Sequence, residues 1–409
     1  MQTVTDHMLD RAREWALIRR HAVFDEREHL AGYELLLDGP SAGEGTAAPL
    51  IASACGDLGL RRLVGDHRAY LAATPDLLAN APELRLPPTQ LVLQVPEQPI
   101  DEQLLHAVRH VVEQGYGVTV GGWALHPAAE RLLALATTVK VDFDFGTLEL
   151  TRLVIRRDEL HARGATLIAG NVQTRGEYEE CRRLGFDAFQ GDYLAEPIRV
   201  RGRRTPTHRM AALAAVLTAT GPGAFEDLER LICQDAGLAH RFLRLADSAF
   251  YAGRSPVRSV RDALARLGAR AVRRWGLVLV MAGLADTSSS TVRHLLGVGL
   301  HRARICQLLA RDTPDACPDR AFSSGLLSIL PALTDQPIAE LVAELPLDDR
   351  LARALCEHHG AEGELLAAAI AYGRGDRENT EGHPPLLTAI TRIYTEALLW
   401  ADDAVHELS

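Results

Sequence analysis

Four things are scarce or missing in this chain of 409 residues. No apolar run approaches the roughly 18 residues that a membrane-spanning helix needs. The N-terminus, "MQTVTDHMLDRAREWALIRR", has no apolar stretch with the flanks of a signal peptide. No single charge dominates: the formal net charge is −10, which argues against a general nucleic-acid or membrane-surface binder. No Cys-x-x-Cys pair occurs among Cys55, Cys181, Cys233, Cys306, Cys317 and Cys356. Neither a zinc site nor a redox motif is therefore indicated, and most of the thiols are expected to be small buried hydrophobes. These absences together predict a cytoplasmic protein with no nucleic-acid or membrane partner.

What is present is an ordinary globular composition, 47% hydrophobic and 24% charged, in a chain long enough for two or three domains. Two textures meet near residue 200. Before it, "WALIRRHAVFD" and "HLAGYELLL" flank the turn-like "EREH", which predicts an opening antiparallel pair. Strand-like "HRAYLAA", "TQLVLQVPE", "YGVTVGG", "TVKVDFD", "ATLIAGN" and "DAFQGDYL" then alternate with helical patterns such as "PIDEQLLHAVRHVVEQG" and "TRGEYEECRRLG". That alternation predicts a β/α fold with enough parallel strands to close a barrel. After residue 210 the apolar residues recur at i, i+3, i+4 and i+7, as in "AFEDLERLICQDAGLAHRFLRLADSAF", and predict an all-helical bundle or array. The division is thus a barrel over 15–200, an Arg-rich linker over 199–210 and a helical domain over 211–402. The linker holds Arg199, Arg201, Arg203, Arg204 and Arg209 and reads as a solvated segment.

In a β/α barrel the chemistry sits at the C-terminal ends of the strands. There the successive strands bring Glu34, then Ala72 and Ala73, then Gln94 with Glu97 just beyond, then Gly121 and Gly122, then Lys140, Asp142 and Asp144, then Gly170, Asn171 and Gln173, then Gln190 and Asp192. A hard divalent cation needs several oxygen ligands converging at about 2.0–2.6 Å. Glu34 facing alanines, an amide and glycines does not supply them.

These stretches, in this order, resemble the EAL domain, the cyclic di-GMP phosphodiesterase fold, over about residues 15–200. "YELLL" stands at the Glu-Ala-Leu signature with Glu34. The resemblance implies that the family's site is dismantled here. The arginine usual after the signature is Asp38, and the metal-binding asparagine position is Ala72. The Glu opening the "ExTE" pattern is Gln94 in "LQVPE". The two aspartates of "DDFG" are Gly121 and Gly122 of "GGWA". The two glutamates of "AEGVET" are Gly170 and Gln173 of "AGNVQT". Glu34, Lys140 and Asp142 of the "KxD" pattern, and Gln190 of "QG", survive. With ligands missing on four strands, two-metal activation of water is not expected. Lys140 and Asp142 are read as pairing with each other or with Glu34 to hold the strand ends. Trp123 offers a surface on which a guanine would stack, although a lone tryptophan is more often core.

In the second half, "LICQDAGLAHRFLRLADSAFYAGRSPVRSVRDALARLGARAVRRW" resembles an HDOD domain, a helical family related to the HD phosphohydrolases. The pattern is carried by Asp235, Ala236, Leu238, Leu243, Asp247, Ser248, Val257, Ser259, Ala263, Leu267 and Gly268, with Asp247 where Asn is usual. The HD family binds metal through separated histidines and an adjacent His-Asp pair, and no His-Asp dipeptide occurs in this chain. Glu357, His358 and His359 form the histidine cluster of this half. Neighbouring helical residues point about 100° apart and chelate one ion poorly, so surface or helix-end positions are expected. Gly253, Gly268 and Gly325 are expected to cap or cross helices, and Arg261, Arg266, Arg270, Arg273 and Arg274 to line one charged face. A degenerate EAL domain fused to HDOD is the YuxH-like architecture.

The combined expectation is an α/β plus all-α protein: an EAL-type modified TIM barrel with an antiparallel opening strand, then an HDOD helical domain. It is expected to be catalytically inactive, with no catalytic residue, metal or cofactor, and to act in signal transduction by binding protein partners through the HDOD domain. A homo-oligomer is compatible with the sequence. The resemblance, not the residues, points to pathways of cyclic di-GMP, motility and biofilm. The alternatives are a cyclic di-GMP receptor without hydrolysis, and a residual phosphodiesterase using Glu34 and Lys140.

Overall fold

The computed structural model describes residues 17–38, 59–80, 87–143, 148–195, 207–218, 224–234, 236–247, 259–284, 290–334, 336–374 and 384–408. The chain divides into two compact units, Met1–Leu194 and Ala195–Ser409. The division falls at the change of texture seen in the sequence. Of the linker arginines, Arg199, Arg201, Arg203 and Arg204 lie outside the described residues, and so does the side chain of Arg209.

Strands β1 (Leu17–Asp25) and β2 (Leu30–Asp38) form the antiparallel pair. Asp25 Oδ1 fixes their turn by accepting from the backbone N–H of Arg27 and of His29, both at 2.8 Å. The strands β3 (Arg68–Ala72), β4 (Leu91–Gln94), β5 (Gly117–Gly121), β6 (Thr138–Asp142), β7 (Thr166–Gly170) and β8 (Ala188–Gln190) follow in parallel. β8 then pairs antiparallel with β1, which closes an eight-stranded barrel in simple sequential order. The expected barrel with its inverted first strand is thus present. Its helices are α1 (Leu60–Val64), α2 (Pro75–Asn80), α3 (Glu102–Glu113), α4 (Glu130–Leu133), α5 (Leu148–Ala162) and α6 (Arg175–Leu184). Helix α6 opens on a capping box, in which the Thr174 hydroxyl accepts from Glu177 N and the Glu177 carboxylate accepts from Thr174 N.

Side chains alternate across each strand, and this alternation builds two apolar layers. Tyr33, Leu35, Leu91, Leu93, Val118, Val120, Val139, Val141, Leu167 and Ala169 pack outward under the helices. Val23, Tyr70, Val92, Ile168 and Ala188 fill the barrel's own interior. The intervening residues share the interior face: Glu34 lies between Tyr33 and Leu35, Thr119 between Val118 and Val120, and Lys140 between Val139 and Val141. The strand period therefore aims Glu34 and Lys140 inward, and the parallel register brings their strand ends to one mouth.

The second unit is helical throughout its described residues: α7 (Thr207–Thr218), α8 (Ala224–Gln234), α9 (Ala236–Asp247), α10 (Val260–Leu284), α11 (Ser290–Leu309), α12 (Pro318–Leu327), α13 (Leu330–Thr334), α14 (Ile338–Glu344), α15 (Asp349–Glu357), α16 (Ala361–Arg374) and α17 (Pro384–Leu408). Gly325 lets α12 cross α11 closely, because a Cβ there would stand 2.5 Å from Ala303 N. Gly268 breaks α10 with φ 75° and ψ 158°. Both match the expected roles of these glycines, and Gly253 lies outside the described residues. The break at Gly268 corrects one expectation. The five arginines do not share one helical face, because Arg261 and Arg266 precede it and Arg270, Arg273 and Arg274 follow it.

The cysteines also depart from expectation. Cys181 and Cys306 are buried, and burial pushes each thiol up to about 12. Cys317 is half-buried, Cys233 and Cys356 are exposed, and Cys55 lies outside the described residues. No single helix among the described residues is long and apolar enough to cross a membrane.

Candidate functional site at the barrel mouth

The mouth centres on Glu34, which is 7% exposed. Lys140 Nζ donates to Glu34 Oε1 at 2.8 Å, and Gln190 Nε2 donates to Glu34 Oε2 at 2.7 Å. Both carboxylate oxygens are thus engaged by residues from β6 and β8. Burial raises the Glu34 pKa. The Lys140 ammonium, the hydrogen bonds from Lys140 and Gln190, and the field of His21 together outweigh burial and hold it below the ordinary carboxylate value. Of the expected pairings of the survivors, the one to Glu34 is present.

Lys140 is the single lysine of the chain, the other basic residues counted with it being arginines. An ammonium suits this place. It is compact, and it delivers one point charge onto Glu34.

The remaining mouth positions fall where the strands were expected to carry them. Ala72 ends β3, Gln94 ends β4, Gly121 ends β5 and Asp142 ends β6, while Gly170 ends β7. Ala72 and Asp142 are exposed and Gln94 is half-buried. Gln173 Nε2 donates to Asn171 Oδ1 at 2.7 Å, so this amide is turned to its neighbour. The side chain of Asp38 and all of Asp144 lie outside the described residues.

The glycines mark space already taken. A Cβ on Gly121 would stand 2.8 Å from Cδ1 and 2.9 Å from Nε1 of Trp123. One on Gly122 would stand 2.8 Å from Glu149 Cβ and 2.9 Å from its Cγ. One on Gly170 would land on Asp142 Oδ1 and 3.0 Å from Lys140 Cε. Trp123 packs against the outer apolar layer, so its ring fills the room beside Gly121 and lies against core.

Sequence reasoning missed two residues of this mouth. The β1–β2 register sets His21 against Glu34 and Arg19 against Leu36, and Arg19 is buried. Their signal was the alternation Arg19-x-His21-x-Val23 on a strand that opens the barrel. Thr119, buried between Gln94 and Thr138 in the register, has no hydrogen-bond partner for its hydroxyl among the described residues.

The donor set does not fit a divalent metal pair. No group of three His, Cys, Asp or Glu side chains among the described residues is placed to hold an ion, and the buried carboxylate of Glu34 is spent on an ammonium and an amide. In the helical unit His358 caps α15 in the left-handed region at φ 51°, the helix-end role expected of it. Burial and the field of Arg374 lower its pKa. His301 Nε2 lies 3.2 Å from Tyr394 O.

The HDOD domain family matches residues 205–367 of this chain. Two curated proteins align along nearly the whole of it. One is "Cyclic di-GMP phosphodiesterase CdgJ" of Vibrio cholerae serotype O1, 28% identical over 381 residues, which covers 90% of this chain and 87% of that protein. The other is "Uncharacterized protein YuxH" of Bacillus subtilis strain 168, 26% identical over 403 residues, covering 94% and 97%. Among solved structures, an EAL domain protein from Listeria monocytogenes EGD-e has a TM-score of 0.36 at 16% identity, covering 46% of this chain and 91% of that one. The PaMucR phosphodiesterase in complex with c-di-GMP gives 0.36 at 17%, covering 44% and 94%. Likenesses at this TM-score add nothing to the barrel order already read from the strands.

Proposed function

We propose that this chain is a regulatory protein of cyclic di-GMP signalling that acts by binding protein partners and has no turnover of its own. The setting is suggested by its alignment along nearly its full length with CdgJ, whose name is that of a cyclic di-GMP phosphodiesterase. The observation that carries the inactive reading is the state of the barrel mouth. Glu34 has both oxygens engaged by Lys140 and Gln190. Trp123, Glu149 and Asp142 occupy the space beside Gly121, Gly122 and Gly170. Metal-assisted hydrolysis needs several free oxygen ligands converging on open coordination positions; among the described residues no three such side chains converge, and the exposed Asp142 does not complete a set.

The test is a turnover assay of the full chain on cyclic di-GMP with magnesium or manganese. The expected result is no hydrolysis above a protein-free control. Hydrolysis that disappears in Glu34→Ala would overturn the reading in favour of a residual phosphodiesterase, the activity in the name of CdgJ. A receptor without hydrolysis is read out separately by calorimetry, where heat of binding at micromolar ligand would establish it and no heat is expected.

A second copy of the chain is one partner that α5 suits. Ile155 on this helix is 77% exposed beside a groove of about 470 Å³ lined by Leu125, Pro127, Arg152 and Glu159. Ile155→Glu is expected to lower the mass read by sedimentation, and an unchanged mass would refute this face.

A further inference from the structure

The break at Gly268 starts a second helical segment of α10, and its first turns carry Arg270, Arg273 and Arg274. Residues three and four apart share a helix face, so the three guanidiniums form one ridge. This is the end of a helix where the backbone dipole already places partial positive charge. Cations there repel the helix terminus and one another, and an anionic group would relieve both. Among the described residues one carboxylate does so. Asp319 Oδ1 accepts from Arg274 Nη2 at 3.1 Å, and its other oxygen lies 4.0 Å from Arg270 Nε. Arg274 is held further by the Phe322 ring, 5.0 Å from its guanidinium carbon. The Arg270 side chain is 89% exposed. Arg273 is exposed and has no ion pair among the described residues.

The chain as a whole is acidic, with a net charge of −10. Composition therefore does not explain three arginines at the wrong end of a helix, two of them sharing one carboxylate. Features that break a local electrostatic rule are expected where function compensates for them. Asp319 displays the compensating chemistry: a carboxylate bridging two of the three guanidiniums, with Arg273 left over. Arginine forks take carboxylates in paired hydrogen bonds.

We propose that Arg270, Arg273 and Arg274 form a docking ridge for an acidic segment of a partner protein, one that presents several carboxylates in succession. The proposal rests on the reading that the chain works through protein partners, and it gives that reading an address. Three cations in one turn suit a short acidic peptide better than a polynucleotide, whose binding grows with the number of phosphates neutralised.

The experiment uses the full chain and a fluorescein-labelled peptide of alternating Glu and Ala, followed by anisotropy at low and at about 0.3 M salt. Saturable binding that weakens with salt is expected, together with a loss of about tenfold or more in Arg270→Glu/Arg273→Glu. Arg270→Gln/Arg273→Gln is expected to lose less, and both variants should keep the wild-type melting temperature because the two side chains are exposed. Charge reversal of the exposed Arg61, in the other unit, should leave affinity unchanged. Three results would overturn the ridge: no binding of the acidic peptide, equal binding by the double variants, or tighter binding of a single-stranded oligonucleotide with the same dependence on Arg270 and Arg273. A failed ridge leaves the turnover assay untouched, and measurable hydrolysis would not alter the peptide result, so the two readings fail separately.

Discussion

In the barrel, the lysine that faces Glu34 is 16% exposed and its charge is matched at 2.8 Å. In the helical unit, Arg270 is 89% exposed and shares one carboxylate with its neighbour Arg274. The first arrangement consumes its charges internally; the second leaves charge over. A buried ion pair loses hydration on both partners and survives only while both are present. An exposed arginine has lost little and contributes little to stability, and its field remains available to a partner. Paired charge thus serves as an internal tie at the barrel mouth, and surplus charge faces outward on α10.

The comparison breaks most sharply at Glu34. Glu34→Ala leaves Lys140 buried without a counter-charge and should destabilise the barrel by about 3–5 kcal/mol in urea unfolding. Glu34→Leu with Lys140→Leu removes both charges and should recover most of that loss. If the single and double changes cost the same, the pair is not buried as described. The pH dependence follows from the same pair. Because the Glu34 pKa is lower in the folded chain than its ordinary 4.5, its contribution is fully present above about pH 4.5 and is lost as pH falls through the folded value. Acid unfolding followed by circular dichroism should therefore be flatter in Glu34→Gln than in the native chain.

Next in size is Gly325→Val, which forces apart α11 and α12 and should cost about 1–3 kcal/mol in the helical unit while leaving the barrel's transition in place. Thr174→Ala removes the cap of α6 and should cost about 1 kcal/mol in the barrel. Smallest is Arg273→Ala, expected within about 0.5 kcal/mol of native stability. A clear destabilisation there would mean that the ridge is structural and not a surface kept for a partner.

Much of this was legible in the sequence because it follows from local period. Alternation placed the strands, and the "EREH" turn between two β runs gave the antiparallel opening, so the closed barrel and the helical half follow. Glu34, Lys140 and Gln190 were each recognisable as strand-end residues. What sequence alone does not reveal is which side chains meet. His21 joins Glu34 through an antiparallel register, and Gln190 reaches it across 156 positions of chain. The filling of the space beside Gly121 and Gly122 depends on Trp123 turning back and on Glu149 arriving from α5. The split of the arginine face depends on one glycine taking a positive φ in an otherwise helical pattern, where apolar periodicity continues across the break. Backbone conformation at a single residue leaves almost no mark on periodicity.

A mouth in which Glu34 is held by Lys140 and Gln190 and glycines end the neighbouring strands should not seat catalytic cations. Electron paramagnetic resonance of manganese titrated into the full chain measures this directly, because bound manganese loses its free-ion signal. The signal should stay at the value for buffer alone up to stoichiometric protein. Loss of signal for two ions per chain, restored by Glu34→Ala, would contradict it.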